Sequence, residues 1–201
     1  QGPLFRSGGV AVYDGLLGGH ILAALCAEAQ ANYATADRQV CDVLTSDHSD
    51  WRGGVPPRQL SIAGGGPVQD ELYRSPHLRA FLSQVCGGPV RPSGSRGSYS
   101  YYVAPADYLG LHLDILTCDL TVINVLTDSA PDNGGSLAVH RGSVGVPLSV
   151  LRRRSTHHDE EVVKASAGST IVILGGLVPH RVLPITTGQR VISALCFEAA
   201  T

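Results

Sequence analysis

Methionine is absent from this 201-residue chain, and lysine occurs once, at Lys164. Its other basic side chains are arginines, which points to GC-rich coding and bears on source rather than mechanism. No apolar run approaches the roughly 20 residues that a membrane-crossing helix needs. An excess of charge of either sign is missing too: the formal net charge is -2, leaving no basic field to hold the chain on nucleic acid or anionic lipid. Neither partner is expected. The five cysteines, at 26, 41, 86, 118 and 196, form no C-x-x-C pair. Neither a disulfide framework nor a cysteine zinc site is therefore expected, and the bland reading is buried thiols in a reducing, cytoplasmic setting.

What is present suits one packed core. With 43% hydrophobic residues, the length fits one domain better than two. The expected organisation is a single domain over 1–201, with a helical and loop part at about 10–96 and a β-rich core at about 97–198. Leu17, Ile21, Leu25 and Ala29 recur every four residues after the Gly15 turn region and predict an amphipathic helix over 16–33. Ser75 as cap, Pro76 at the first helical position, the stripe Leu78, Phe81, Leu82 and Val85, and the stop at Gly87-Gly88 predict a second helix. Between them, 45–67 is rich in Gly and Pro and reads as a long loop. Short β-type runs then follow at 98–104, 110–114, 119–127, 135–140, 160–165, 169–174, 177–182 and 190–198. Strands of this number after two helices predict a mostly β fold with flanking helices around a double-stranded β-helix, a jelly-roll or cupin-like core. Arg152-Arg153-Arg154 and the acidic stretch to Glu161 read as a solvated connection.

An iron centre for oxygen chemistry takes two His and one carboxylate on one face and keeps the other face open. A His-x-acid pair on a strand supplies two of the three, since alternation places both side chains on one side. The pattern occurs four times here, so it does not discriminate alone. His48-Ser49-Asp50 and the two overlapping matches at 157–160 lack a strand context. His112-Leu113-Asp114 lies in β-type sequence and is followed far downstream by His180 between apolar runs.

These residues sit in longer matching stretches: Tyr102, then Tyr108-Leu109-Gly110-Leu111-His112-Leu113-Asp114, Gly134-Gly135-Ser136-Leu137-Ala138-Val139-His140, Val178-Pro179-His180-Arg181-Val182-Leu183-Pro184 and Gly188-Gln189-Arg190-Val191-Ile192-Ser193. Taken in order over about 97–198, they resemble the prolyl-4-hydroxylase-like branch of the Fe(II)/2-oxoglutarate-dependent dioxygenases. The resemblance implies Fe(II) held by His112, Asp114 and His180, with 2-oxoglutarate as cosubstrate and O2 as oxidant. It also implies that Arg190 grips the far carboxylate, that the Tyr102 phenol reaches the same group, and that ascorbate is a candidate reductant. One departure is visible: where the family often has a second Tyr on strand 119–127, the best register puts Val125, with Thr121 and Ile123 also inward and Asn124 outward.

The implied reaction is hydroxylation of an unactivated C–H bond of a small molecule, such as an amino acid or natural-product intermediate, with 2-oxoglutarate decarboxylated to succinate. Asp114 argues against halogenation, which in related enzymes needs that ligand position vacated. Desaturation, cyclisation and epimerisation share the triad and stay open. So do a cupin-like metal enzyme that does not use 2-oxoglutarate and a catalytically silent jelly-roll binding module. Trp51, Arg52, Arg58 and Tyr99 are conceivable pocket residues with ordinary packing roles as the alternative.

Overall fold

The computed structural model describes residues 2–42, 52, 55–127, 133–153 and 159–199. Its framework is antiparallel: β1 (Val10–Asp14), β2 (Asp37–Cys41), β3 (Arg58–Gly64), β4 (Val90–Pro92), β5 (Ser98–Tyr102), β6 (Tyr108–His112), β7 (Leu120–Thr127), β8 (Leu137–Val139), β9 (Glu161–Val162), β10 (Ser169–Ile173), β11 (His180–Val182) and β12 (Arg190–Ala199). They hydrogen-bond in the order β1-β10-β7-β12-β5-β3-β6-β11-β8-β9, with β2 added to β3 and β4 to β12. The sheet is curled on itself into the two faces of a double-stranded β-helix, as expected. All eight expected strands are present, most of them shortened at one or both ends.

Residue alternation explains the two sides of the wall. On β7, Ile123 and Val125 join the apolar cluster inside the curl, with Leu60, Tyr102, Ile171 and Ile192. Leu120, Val122 and Leu126 join a second cluster on the outer side. This is the register the sequence predicts. Asn124, turned outward, is nonetheless buried and accepts a hydrogen bond from the Thr170 hydroxyl at 2.9 Å.

Helices α2 (Gly19–Asn32), α3 (Pro67–Arg74) and α4 (Pro76–Cys86) supply the rest of the outer cluster through Leu25, Ala29, Leu72, Leu78 and Leu82. Full burial of each such side chain contributes roughly 1.5–3 kcal/mol. The predicted cap of α4 is present: the Ser75 hydroxyl accepts from Leu78 N at 3.3 Å, and Gly87 takes φ 74° at the C-terminus. Two short helices, α1 (Pro3–Arg6) and α5 (Leu148–Arg153), are also present, and α5 packs Leu148 and Leu151 against Leu111 on the outside of β6.

The loop reading of 45–67 is corrected over its second part. Residues 58–64 form β3, which pairs with β5 through Ser61–Gly64 and with β6 through Arg58 and Gln59, joining the two faces of the curl. A glycine-rich neighbourhood concealed it, because its stability comes from partners on both sides rather than from its own alternation. Of that loop, 45–51, 53 and 54 lie outside the described residues.

The expectation of five buried thiols is corrected. Cys118 and Cys196 are joined by a disulfide across 78 positions of sequence, while Cys26, Cys41 and Cys86 are outside that pairing and only partly buried. The pairing arises because Cys196 stands opposite Thr121 in the β7–β12 register, next to the turn that ends at Cys118.

Candidate active site

His112 ends β6 and His180 begins β11, and the two are direct cross-strand partners. Their rings lie 4.2 Å apart between centroids. Each Nδ1 meets a carbonyl two residues back on its own chain, Gly110 at 2.9 Å and Val178 at 2.8 Å. A carbonyl can only accept, so each Nδ1 carries a proton and each Nε2 is the ring atom left to face inward.

Asp114 does not lie on the strand, as alternation predicts, but two residues past its end. Its carboxylate still reaches both rings: Oδ1 is 3.6 Å from His112 Nε2 and 3.7 Å from His180 Nε2. One donor atom from each of the three residues lies within 4.8 Å of the others, a set able to hold a metal ion.

The carboxylate is fixed from its other side. Oδ2 accepts a hydrogen bond from the Thr121 hydroxyl, whose oxygen lies 3.2 Å from Cys118 Sγ of the disulfide. Asp114 N donates to Gly175 O at 2.9 Å. A Cβ on Gly175 would fall 1.8 Å from Asp114 Oδ2, so only glycine leaves room for the carboxylate. Arg52 holds the following turn, donating to Ile115 O at 2.6 Å, to Asp114 O at 3.3 Å and to Asp119 Oδ1 at 2.6 Å.

Burial by itself raises the Asp114 carboxyl, but the two imidazoles and the Thr121 hydroxyl outweigh it and hold the group well below the usual carboxylate range. Burial, reinforced by His112 and opposed by Asp114, pushes His180 down to about 4. An ionised carboxylate beside a neutral imidazole is the protonation state a divalent cation requires.

Further inside the curl, Arg190 stands opposite Tyr102 in the β12–β5 register, with its Cζ 5.7 Å from the ring centre. Both side chains are buried. Burial raises the Tyr102 phenol to about 12 and lowers the Arg190 guanidinium. Arg190 Nη1 is buried, without a hydrogen-bond partner among the described residues, beside a small cavity lined by Val125, Ser136, Leu137 and Ile171. Val125 thus occupies the wall where a second phenol was looked for, and offers the cavity no polar group.

Of the other sequence candidates, His48-Ser49-Asp50, Trp51, His157 and His158 lie outside the described residues. Arg52 and Tyr99 have structural work: Arg52 braces the Asp114 turn, and the Tyr99 hydroxyl donates to Glu28 Oε1 at 2.6 Å. The acidic stretch is not simply solvated. Glu160 accepts two hydrogen bonds from Arg181, at 2.6 and 2.8 Å, and lies 3.3 Å from the Nε2 of buried His140. Sequence reading missed Thr121 and Gly175, because their contact with Asp114 is made only in three dimensions.

No family model and no curated protein matches the sequence. Solved structures do match. A prolyl-4-hydroxylase of Pseudomonas putida is 18% identical, covering 98% of this chain and 96% of its own, at a TM-score of 0.63. The α-ketoglutarate-dependent epimerase SnoN of nogalamycin biosynthesis is 18% identical over 98% of this chain and 79% of its own, at 0.70. HygX of Streptomyces hygroscopicus, solved with nickel, 2-oxoglutarate and hygromycin B, is 16% identical over 98% and 85%, at 0.63. This chain has the fold of the 2-oxoglutarate-dependent iron oxygenases. The resemblance read from its motifs thus extends, as a shared fold, to nearly the whole described chain.

Proposed function

We propose that this chain is an Fe(II)- and 2-oxoglutarate-dependent oxygenase that hydroxylates an unactivated C–H bond of a small molecule. The observation that carries this reading is Arg190, a buried guanidinium whose Nη1 has no hydrogen-bond partner among the described residues, in a fold that also gathers a two-His, one-Asp cluster. An unpaired buried charge costs several kcal/mol, which a bound anion offsets. A carboxylate answers a guanidinium with two parallel hydrogen bonds. A dicarboxylate with a second, chelating end fits both halves of the site.

In this reading His112, Asp114 and His180 hold the metal, the Nδ1 contacts to Gly110 and Val178 keep each Nε2 lone pair aimed inward, and Thr121 orients the carboxylate. Arg190 takes the far carboxylate, and Tyr102, raised well above the neutral range, stays protonated beside it as a hydrogen-bond donor. When bound, iron and 2-oxoglutarate supply the oxidising power, consuming O2 and releasing succinate and CO2. The apolar wall of Ile123, Val125, Ile171 and Ile192 excludes water from the reacting centre. A cupin-like enzyme working without 2-oxoglutarate leaves the buried charge of Arg190 unexplained.

The test is an anaerobic titration of 2-oxoglutarate into the Fe(II)-loaded protein, followed by its visible charge-transfer absorption, and then by succinate yield on admitting O2. A saturable band with no succinate would reject the oxygenase reading, and absence of the band would reject 2-oxoglutarate itself.

A further inference from the structure

Arg58 shares the property that singles out Arg190. Arg38, Arg52, Arg96, Arg141 and Arg181 each face a carboxylate within 4 Å. Arg58 is only partly exposed, its Nε is buried, and among the described residues it has no carboxylate and no hydrogen-bond partner.

Two observations place its side chain on the inner face of the wall. Along β3, Arg58 alternates with Leu60 and Ile62, both of the inner cluster, while Ala63 belongs to the outer one. Across the sheet, Arg58 pairs with Leu109, which also packs against the inner cluster. Leu109 precedes His112 by three residues, on the order of 10 Å along a strand. The guanidinium therefore faces the interior between the level of Tyr102, where Leu60 packs, and the metal-binding cluster.

Charge decides what it receives. If the reading above holds, Asp114 and the two carboxylates of 2-oxoglutarate balance a divalent metal and Arg190. The positive charge of Arg58 is then left over on the same interior. We infer that Arg58 is a specificity residue that binds an anionic group, a carboxylate or its equivalent, on the substrate, so that the enzyme selects small acids over their neutral analogues. This rests on the proposed function, because the charge balance assumes metal and 2-oxoglutarate.

Acetate serves as the probe. Anaerobic Fe(II)-protein saturated with 2-oxoglutarate is titrated with acetate while the relaxation of the acetate methyl protons by the paramagnetic iron is measured by NMR. Saturable acceleration is expected in the wild type. In Arg58→Gln the apparent affinity should fall roughly 10- to 100-fold, the loss expected of one charge-assisted hydrogen-bonding partner. Arg58→Lys should recover part of it, and the 2-oxoglutarate titration should be unchanged in both variants. Retained iron binding shows that the variants are folded.

Equal acetate relaxation in wild type and Arg58→Gln, or no saturable relaxation in wild type, would overturn the inference. A large fall in 2-oxoglutarate affinity in Arg58→Gln would assign the guanidinium to the cosubstrate and overturn it in another way. Failure of the wild type to bind 2-oxoglutarate at all would instead be seen first in the charge-transfer titration, and would remove the proposed function along with it.

Discussion

The two sides of the curled sheet treat buried charge differently. Outside, under the helices, Glu28 is surrounded by donors: Tyr99 OH at 2.6 Å, Val68 N at 2.7 Å, Gln69 N at 3.0 Å and Gly66 N at 3.2 Å. At the edge of the fold, Asp107 takes Arg38 in a two-pronged pair and accepts from Val103 N and Ala104 N. Inside, Arg190 and Arg58 have no counter-charge among the described residues. A fold that satisfies structural charges this fully does not leave guanidiniums unpaired by neglect. On the proposed reading, the contrast separates groups that hold the molecule together from groups that wait for a ligand.

The largest expected effect tests that contrast directly. Arg190→Ala should weaken 2-oxoglutarate binding by roughly 30- to several-thousand-fold, the equivalent of about 2–5 kcal/mol, while ligand-free thermal stability should stay level or rise, because an unpaired buried charge is removed. A stability loss as large as the affinity loss would mean that Arg190 is structural. Next, breaking the Cys118–Cys196 disulfide by Cys196→Ser should cost about 2–4 kcal/mol in urea unfolding; an unchanged midpoint would show that the two cysteines act as independent thiols.

Asp107→Ala should cost about 2–3 kcal/mol, below the range for a fully buried pair because the Arg38 side chain is 37% exposed. Its carboxyl, like that of Glu28, is raised by burial but brought below its ordinary value by its hydrogen-bond donors. The sign follows: their contribution is complete above the ordinary carboxylate pKa of about 4 and is lost as pH falls through the lowered folded values. The Asp107→Ala protein should therefore lose less additional stability than wild type between about pH 4 and pH 2. Parallel acid-unfolding curves would refute this. The smallest effect is expected for Thr121→Val, which removes the bond to Asp114 Oδ2 and should weaken Fe(II) binding by about tenfold with little change in unfolding. Unaltered metal affinity would show that the hydroxyl does not orient the ligand.

The core strands and α4 could be read in the sequence because their signals are local: alternation in β7 and β12, and a cap, a stripe and a glycine stop in α4. The His112, Asp114 and His180 cluster was legible as motif stretches in order, and the structure brings those side chains together. What could not be read depends on partners distant along the chain. Strand β3 is specified by β5 and β6 on either side of it, and Cys118 meets Cys196 through the register of β7 on β12. Thr121, Gly175 and Arg52 converge on Asp114 from three separate segments. Arg52 and Arg58 are alike in sequence, yet Arg52 braces a turn while Arg58 has no partner among the described residues.

Because Asp114 lies beyond the end of β6, its position is an outcome of assembly rather than of strand geometry. The carboxylate is in place only when Arg52, the turn at Gly175 and strand β7 have all docked. On the proposed reading, metal affinity is linked to the docking of these elements, and added Fe(II) should raise the unfolding temperature in proportion to the logarithm of its concentration. The same linkage makes metal retention a sensitive reporter of distant damage: a substitution that loosens any one of these three contacts should release iron before it unfolds the protein.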